Sequence, residues 1–516
     1  MQGTGTTTSV WMATSEMPEG DKEAANERLD VLVVGAGIAG LTTALLLQRE
    51  GRSVLVVDDG PAGSGETSRT TAHLSNAIDD RYTEIERMHG AEAARLAADS
   101  HTAAIDRIES LAKEEVIDCD FARLDGYLIP AEGHSSAVID QELEAAHRAG
   151  LTAVERVDHP PLMSAGPGPC LRFPNQGMFH PLKYLNGLLR AFTAHGGRLV
   201  SGVHVNGVSE GKPAKVTTDG GPTFYPDAVV VATNTPVNDW VKIHTKQAAY
   251  RTYAVALRVP QGSVPTALYW DTADPYHYVR LQPMDDHDLL IVGGEDHKTG
   301  EARDQDERWA RLEGWTREHF PMAQAVEFQW SGQVMEPFDG LAYIGRNPGS
   351  TGGNIYIATG DSGMGMTHGT IAGMLLTDLI QGRDNPWTTV YDPARKPFSA
   401  LGTFLKENLD VARQYSHYLR PAEVGNVAEI RPGTGAVVRE NGQMVAAYRA
   451  DDGTVTRLSA VCTHMQCVVQ WNPGERTWDC PCHGSRFTTE GALLNGPAVS
   501  PLAHLSTTEA EERKTG

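Results

Sequence analysis

Between Leu29 and about Leu379, short apolar runs of strand length alternate with longer segments whose apolar positions recur every three or four residues. This is the pattern of an α/β fold. The clearest unit opens the region. "DVLVVGAGIAG" (Asp30 to Gly40) is a strand-like run that breaks at Gly35, Gly37 and Gly40 into the helix "LTTALLLQRE"; Gly51 ends that helix and "SVLVVDD" supplies a second strand. A similar strand, glycine turn and helix recur in "NIYIATGDSGMGMTHGTIAGMLLTDLI", Asn354 to Ile380. "LRFPNQGMFHPLKYLNGLL" (Leu171 to Leu189) predicts a turn entering a helix with Pro181 at its first position. The pattern then changes. Residues 381–424 carry turn residues and one helical segment near Phe404 to Leu419, stopped by Pro421, and predict a connector. Short strands separated by "RPGTG", "ENGQ" and "DDGT" then predict a small all-β domain over 425–508, with a charged tail at 509–516. Residues 1–28 are polar and short of aliphatics, and disorder is expected there.

Composition narrows the partners. The formal charge is −22 and the pI about 5.3, so nucleic acid and anionic membrane surfaces are poor partners. The longest uncharged run, Val31 to Gln48, is interrupted by glycines and reads as strand and helix, not a membrane span. No basic n-region precedes an apolar stretch at the N-terminus, and a cytoplasmic protein is expected.

Four of the six cysteines fall in two hexapeptides, "CTHMQC" (Cys462 to Cys467) and "CPCHGS" (Cys480 to Ser485). Cys462-x-His464 and Cys480-x-x-His483 offer two thiolates and two imidazoles, a set that suits tetrahedral zinc or a Rieske [2Fe–2S] cluster. Both hexapeptides, with the later "GPA" at Gly496 to Ala498, closely resemble the Rieske proteins of cytochrome bc complexes. The resemblance implies that Cys462, His464, Cys480 and His483 bind the cluster and that Cys467 and Cys482 form a disulfide between the two loops. Imidazole ligands raise the potential above that of ordinary ferredoxins, and solvent-open imidazoles would add a pH response. In that family the motif continues to a serine and a tyrosine that donate to cluster sulfurs. Ser485 matches, but Phe487 stands in the tyrosine's place, which implies a lower potential.

Gly35-x-Gly37-x-x-Gly40 between strand and helix, with Asp58 18 residues beyond Gly40, is a dinucleotide fingerprint. With "SRTTAHLSN" (Ser68 to Asn76), "VHV" (Val203 to Val205), "VVVATNTP" (Val229 to Pro236) and the Asn354 to Ile380 unit, it resembles the D-amino-acid-oxidase-like flavoproteins over roughly residues 29–380. The resemblance implies an α/β FAD-binding Rossmann-like domain interleaved with an α+β substrate domain. It places FAD against Gly35, Gly37, Ile38, Ala39, Gly40, Asp58 and Asp59, and against Ser68, Thr70, Thr71 and Ala72. It adds Val205, Ala232 and Thr233 on the adenine side, and Gly360, Gly365, Met366 and Thr367 where a helix N-terminus faces the flavin. His73 stands one position off the histidine that tethers FAD covalently in some relatives, so noncovalent FAD is expected.

The family oxidises a C–H bond beside an amine nitrogen. The strand "YWDTADPYHYVRLQP" (Tyr269 to Pro283) resembles the one that carries a carboxylate-binding arginine, which nominates Arg280, with Tyr278 on the same face and His368 in the flavin-facing turn. No second dinucleotide fingerprint follows, so electrons are expected from an organic substrate. The chain therefore reads as an FAD-dependent amine or amino-acid dehydrogenase that passes electrons through a Rieske cluster to an external one-electron carrier. Reverse flow from an outside donor, or a redox sensor without turnover, are the alternatives.

Overall fold

The computed structural model describes residues 5–22, 28–133, 135–161, 168–237, 243–349, 353–396 and 424–505. Strand Val31–Val34 lies near the centre of a six-stranded sheet ordered 343–346, 355–359, 228–231, 31–34, 54–58 and 198–201; all pairs are parallel except the antiparallel edge strand Tyr343–Arg346. Its central strands are buried at every position because helices or loops cover both faces. Helix Ile38–Arg49 packs against helix Gly365–Gln381. The two come close because a Cβ at Gly373 would stand 2.4 Å from the Thr42 side chain. The two strand–turn–helix units read from the sequence are thus neighbours.

A second, nine-stranded mixed sheet carries the substrate half, and its strand Tyr278–Pro283 pairs with Asp288–Lys298 and Leu268–Asp271. Helix Pro181–Ala194 starts on the proline, with His180 as its cap. The C-terminal domain is all-β. Strands 434–440, 443–449 and 455–459 form one antiparallel sheet, and 470–472, 477–479, 486–487 and 493–495 form the other. The connector helix expected at 404–419 and the tail at 509–516 lie outside the described residues. Among the described residues, no helix is long and apolar enough to cross a membrane.

The N-terminal segment differs from expectation. Residues Val10–Thr14 form a helical turn capped by Ser9, and Val10 and Trp11 are fully buried. Trp11 Nε1 donates to the Thr70 carbonyl (2.6 Å), and Ser9 Oγ to that of Ser68 (2.6 Å). The average polarity of residues 1–28 hid one apolar cluster, "VWM", large enough to anchor the segment.

Candidate functional site

The glycine turn after Val34 opens onto a cavity of about 520 Å³. Gly35 has φ +105°, and a Cβ there would lie 2.4 Å from the Ala232 carbonyl oxygen, so the turn closes only with glycine. Asp58 sits at the end of its strand and accepts from the Ala36 and Gly60 amides (2.6 and 2.8 Å), which holds the turn in shape. Burial and the neighbouring Asp59 push its carboxyl up, whereas the His204 imidazole holds Asp59 down.

Of the residues singled out from the sequence, Gly35, Gly37, Ile38, Ala39, Asp58, Asp59, Thr70, Thr71, Val205, Ala232, Thr233, Gly365, Met366, Tyr278 and His368 all line this one cavity. Gly40, Ser68, Ala72, Gly360 and Thr367 stand behind its wall. A Cβ at Gly40 would meet the Gly35 carbonyl, Ser68 receives the N-terminal segment, and Thr367 bonds His101.

Arg280 does not reach the cavity. It is 1% exposed, and its guanidinium donates to the carbonyls of Thr71 (3.3 Å), Ala72 (2.8 Å), Phe179 (3.1 Å) and Leu281 (3.2 Å) and to Gln282 Oε1 (2.7 Å). Trp11 lies under it at 5.2 Å. The expected carboxylate clamp is instead a brace that fixes Ala72 at φ 61°. Strand alternation placed it on the correct face but one step past the cavity.

The cavity wall beside Tyr278 is acidic. Tyr276 donates to Asp79 (2.8 Å), and Tyr278 bonds Thr252 (2.6 Å). Asp296, Glu336 and Asp361 complete the wall. Burial is the main cause that raises Asp79 to about 7, and Asp296 and Asp361 to about 6. His368 gives its Nδ1 to the Asp361 carbonyl (2.8 Å), and burial lowers it to about 4, so it is neutral. None of these acids was singled out from the sequence; only the adjacent Asp79 and Asp80 hint at them.

In the C-terminal domain, Cys462, His464, Cys480 and His483 are all buried, and the two imidazole rings stand 5.0 Å apart. Cys467 and Cys482 form the expected disulfide. That bond brings the sulfurs of Cys467, Cys480 and Cys482 within 4.8 Å of one another, but two of the three are bonded to each other and leave no trio of ligands. The Cys462 thiol is held below its ordinary value, first by the Cys480 thiol, then by the amides of His464 and Met465 and the Ser485 hydroxyl, against an opposing effect of burial.

Residues 30–379 match the family model of the FAD dependent oxidoreductases. The chain belongs to that family. Residues 420–506 match the Rieske [2Fe-2S] domain, and the oxidoreductase binds both FAD and a Rieske [2Fe–2S] cluster. A relative from Bacillus subtilis (strain 168), described as a Rieske 2Fe-2S iron-sulfur protein, YhfW, is 29% identical over 499 residues, covering 96% of this chain and 97% of its own. The gamma-glutamylputrescine oxidoreductase of Escherichia coli (strain K12) is 26% identical over 391 residues, 73% of this chain and 89% of its own. Among solved structures, glycine oxidase from Geobacillus kaustophilus superposes with a TM-score of 0.60 at 19% identity over 72% of this chain and 99% of its own, which establishes the fold.

The residues present fit both groups. Helices Ile38–Arg49 and Gly365–Gln381 turn their N-termini onto the cavity, neither capped by the side chain of its own N-cap residue, and there a diphosphate and an anionic flavin edge would be stabilised. At the cluster site the buried Nδ1 of His483 makes no hydrogen bond, and burial with the neighbouring His464 lowers the imidazole to about 3, leaving a neutral ligand atom.

The domains of the oxidoreductase meet through buried groups. Glu475 of the Rieske domain lies between Arg69 (3.4 Å) and Arg251 (3.3 Å) of the flavin domain, bonds Ser331, and accepts from the Thr7 hydroxyl (2.6 Å). Burial alone would raise its carboxyl, but the three surrounding guanidiniums of Arg69, Arg251 and Arg486 bring it down to about 2. Gln333 donates to the Gly484 carbonyl (3.0 Å). His244 of the flavin domain packs edge-on against His464 (5.2 Å) and His483 (6.2 Å). The imidazoles of His464 and His483, 8% and 7% exposed, are therefore not open to solvent, contrary to the expectation from the sequence. Nothing local in "KIHTKQ" or "PGERTW" marks His244 or Glu475.

Ser485 donates toward Cys462, and Phe487 is fully buried in the same core cluster as Cys462 and Cys480. A donor to cluster sulfur stabilises the added electron. Ser485→Ala is therefore expected to lower the potential, and Phe487→Tyr to raise it, by about 40 mV for a bond contributing about 1 kcal/mol. Spectroelectrochemical titration of the full chain reads both. A tyrosine variant at or below the parent potential would show that this side chain does not face the cluster.

Proposed function

We propose that this chain binds an amine as its cation, takes the ammonium proton onto the acidic wall, oxidises the free base at FAD and passes the electrons through the Rieske cluster to an external one-electron carrier in the cytoplasm. The observation that carries it is a continuous line of contacts. Thr235 lines the FAD cavity, the next residue Pro236 offers its carbonyl to His244 Nε2 (3.1 Å), and the His244 ring touches both cluster imidazoles. When bound, FAD takes two electrons from the carbon beside an amine nitrogen, and the cluster carries electrons singly. The chain's own residues orient the amine and keep the path dry. Tyr276 and Tyr278 form an aromatic wall, with rings 5.4 Å apart, and Asp79 and Asp296 face the same space.

The amine part of this reading rests on charge. Arg280 is spent on backbone carbonyls, so no arginine from this strand waits for a substrate carboxylate, whereas the acids favour a positive group. That one relative is by name a gamma-glutamylputrescine oxidoreductase agrees with an amine. An anaerobic screen should find amines that bleach the flavin, followed by many turnovers once a one-electron acceptor is added. NADH and NADPH should bleach it at no useful rate; rapid bleaching by either would reverse the proposed flow.

A quaternary alkylammonium ion tests the wall separately, because its own charge never titrates. Asp296 and Asp79, raised to about 6 and about 7, are neutral below those values and anionic above them. The ion's Kd is therefore expected to fall about tenfold as pH rises through this window. A flat profile, followed by flavin absorbance, would place the acids away from the substrate.

A further inference from the structure

One wall of the cavity belongs to neither flavin-domain unit. Leu493, Leu494, Asn495, Gly496 and Ala498 of the Rieske domain line it together with the glycine turn and with Glu66, Thr67, Arg69, Thr70 and Thr71. These residues are tied to the parts that would grip the cofactor. Asn495 Nδ2 donates to Glu66 Oε1 (3.0 Å), and Glu66 Oε2 accepts from the Gln333 amide (2.7 Å). His204 stands with Nδ1 3.4 Å from Asp59 Oδ2 and Nε2 3.1 Å from the Val499 carbonyl oxygen. Arg69, in the same loop as Glu66, is held by Glu475.

We propose that the 493–498 segment of the Rieske domain is part of the FAD site, and that FAD enters and leaves only when this domain lifts from the flavin domain. The cluster domain then has a second role, as the closing wall of the flavin cleft. This rests on the FAD site and the domain contact alone, not on the direction of electron flow or the substrate. Lifting breaks the Asn495–Glu66 and His204–Val499 contacts and separates Glu475 from two buried guanidiniums, so the closed state should dominate.

The geometry provides a direct test. A Cβ built at Gly496 lies 3.9 Å from Thr235 Cβ, within the roughly 3.5–4.5 Å of disulfides. In the full-chain holoenzyme, Thr235→Cys with Gly496→Cys should cross-link on oxidation and pin the wall shut. Release of FAD after dilution, read as the rise of free-flavin fluorescence, should slow by about tenfold or more against each single variant and the parent treated alike. Asn495→Ala removes the half-buried bond to Glu66 across the domain contact, along with one from Arg486 within the Rieske domain, and should speed release by about fivefold with the cluster's absorption and EPR signals intact. A confirmed cross-link that leaves release at the parent rate overturns the proposal, as does an Asn495→Ala protein that holds FAD as tightly as the parent. A pair that never cross-links shows that the two walls do not meet as described, and the proposal falls with them.

Discussion

Cys462→Ser is expected to lower turnover with a one-electron acceptor at least about a hundredfold while substrate still bleaches the flavin, because losing one of four ligands removes the cluster. Cys462 is 1% exposed and receives the amides of His464 and Met465 and the Ser485 hydroxyl, a set of donors built for a sulfur anion. A serine oxygen is harder and stays protonated at neutral pH. The cysteine lines no part of the FAD cavity, so flavin reduction survives when FAD is supplied in excess. Anaerobic single-turnover bleaching and steady-state acceptor reduction, measured on the same preparation, separate the two steps. Unchanged acceptor turnover in cluster-free protein would mean that electrons leave from the flavin directly.

Arg280→Ala is expected to destabilise the protein by about 3 kcal/mol and to reduce kcat/KM by the same factor for amines with and without a carboxylate. The substitution leaves the carbonyls of Thr71, Ala72 and Phe179 without their donor and opens a void over Trp11. Ala72 then loses the brace on a left-handed backbone. Denaturant unfolding gives the first quantity and paired substrates the second. A loss confined to acid substrates would restore the clamp role.

These two residues show what the sequence could and could not convey. Cys462, His464, Cys480 and His483 fall in two short motifs, so the gathering of these four side chains at one buried place was legible in the sequence. The glycine turn was legible for the same reason: strand, turn and helix are consecutive. Arg280 is a tertiary question. Alternation along Tyr278–Pro283 gives the face of the strand, but whether a side chain ends at the cavity or beneath it depends on Thr71 and Phe179, which arrive from distant strands and loops. The acidic wall is likewise assembled from Asp79, Asp296, Glu336 and Asp361, which no local pattern links. His244 and Glu475 act only across a contact between domains, and in the N-terminal segment the burial of one tryptophan outweighs the polarity of its neighbours.

The seat of His244 against both cluster imidazoles bears on molecularity. Two separate proteins that exchange electrons must meet, and their rate falls with dilution and with salt. With both cofactor domains docked in one chain, the transfer proposed above would be first order, as if the partner were always present at saturating concentration. On that reading the encounter step would move wholly to the outside carrier. While the two domains are docked, the flavin domain covers the edge of His464 and His483, so the carrier proposed above would have to reach the cluster through another face of the β domain.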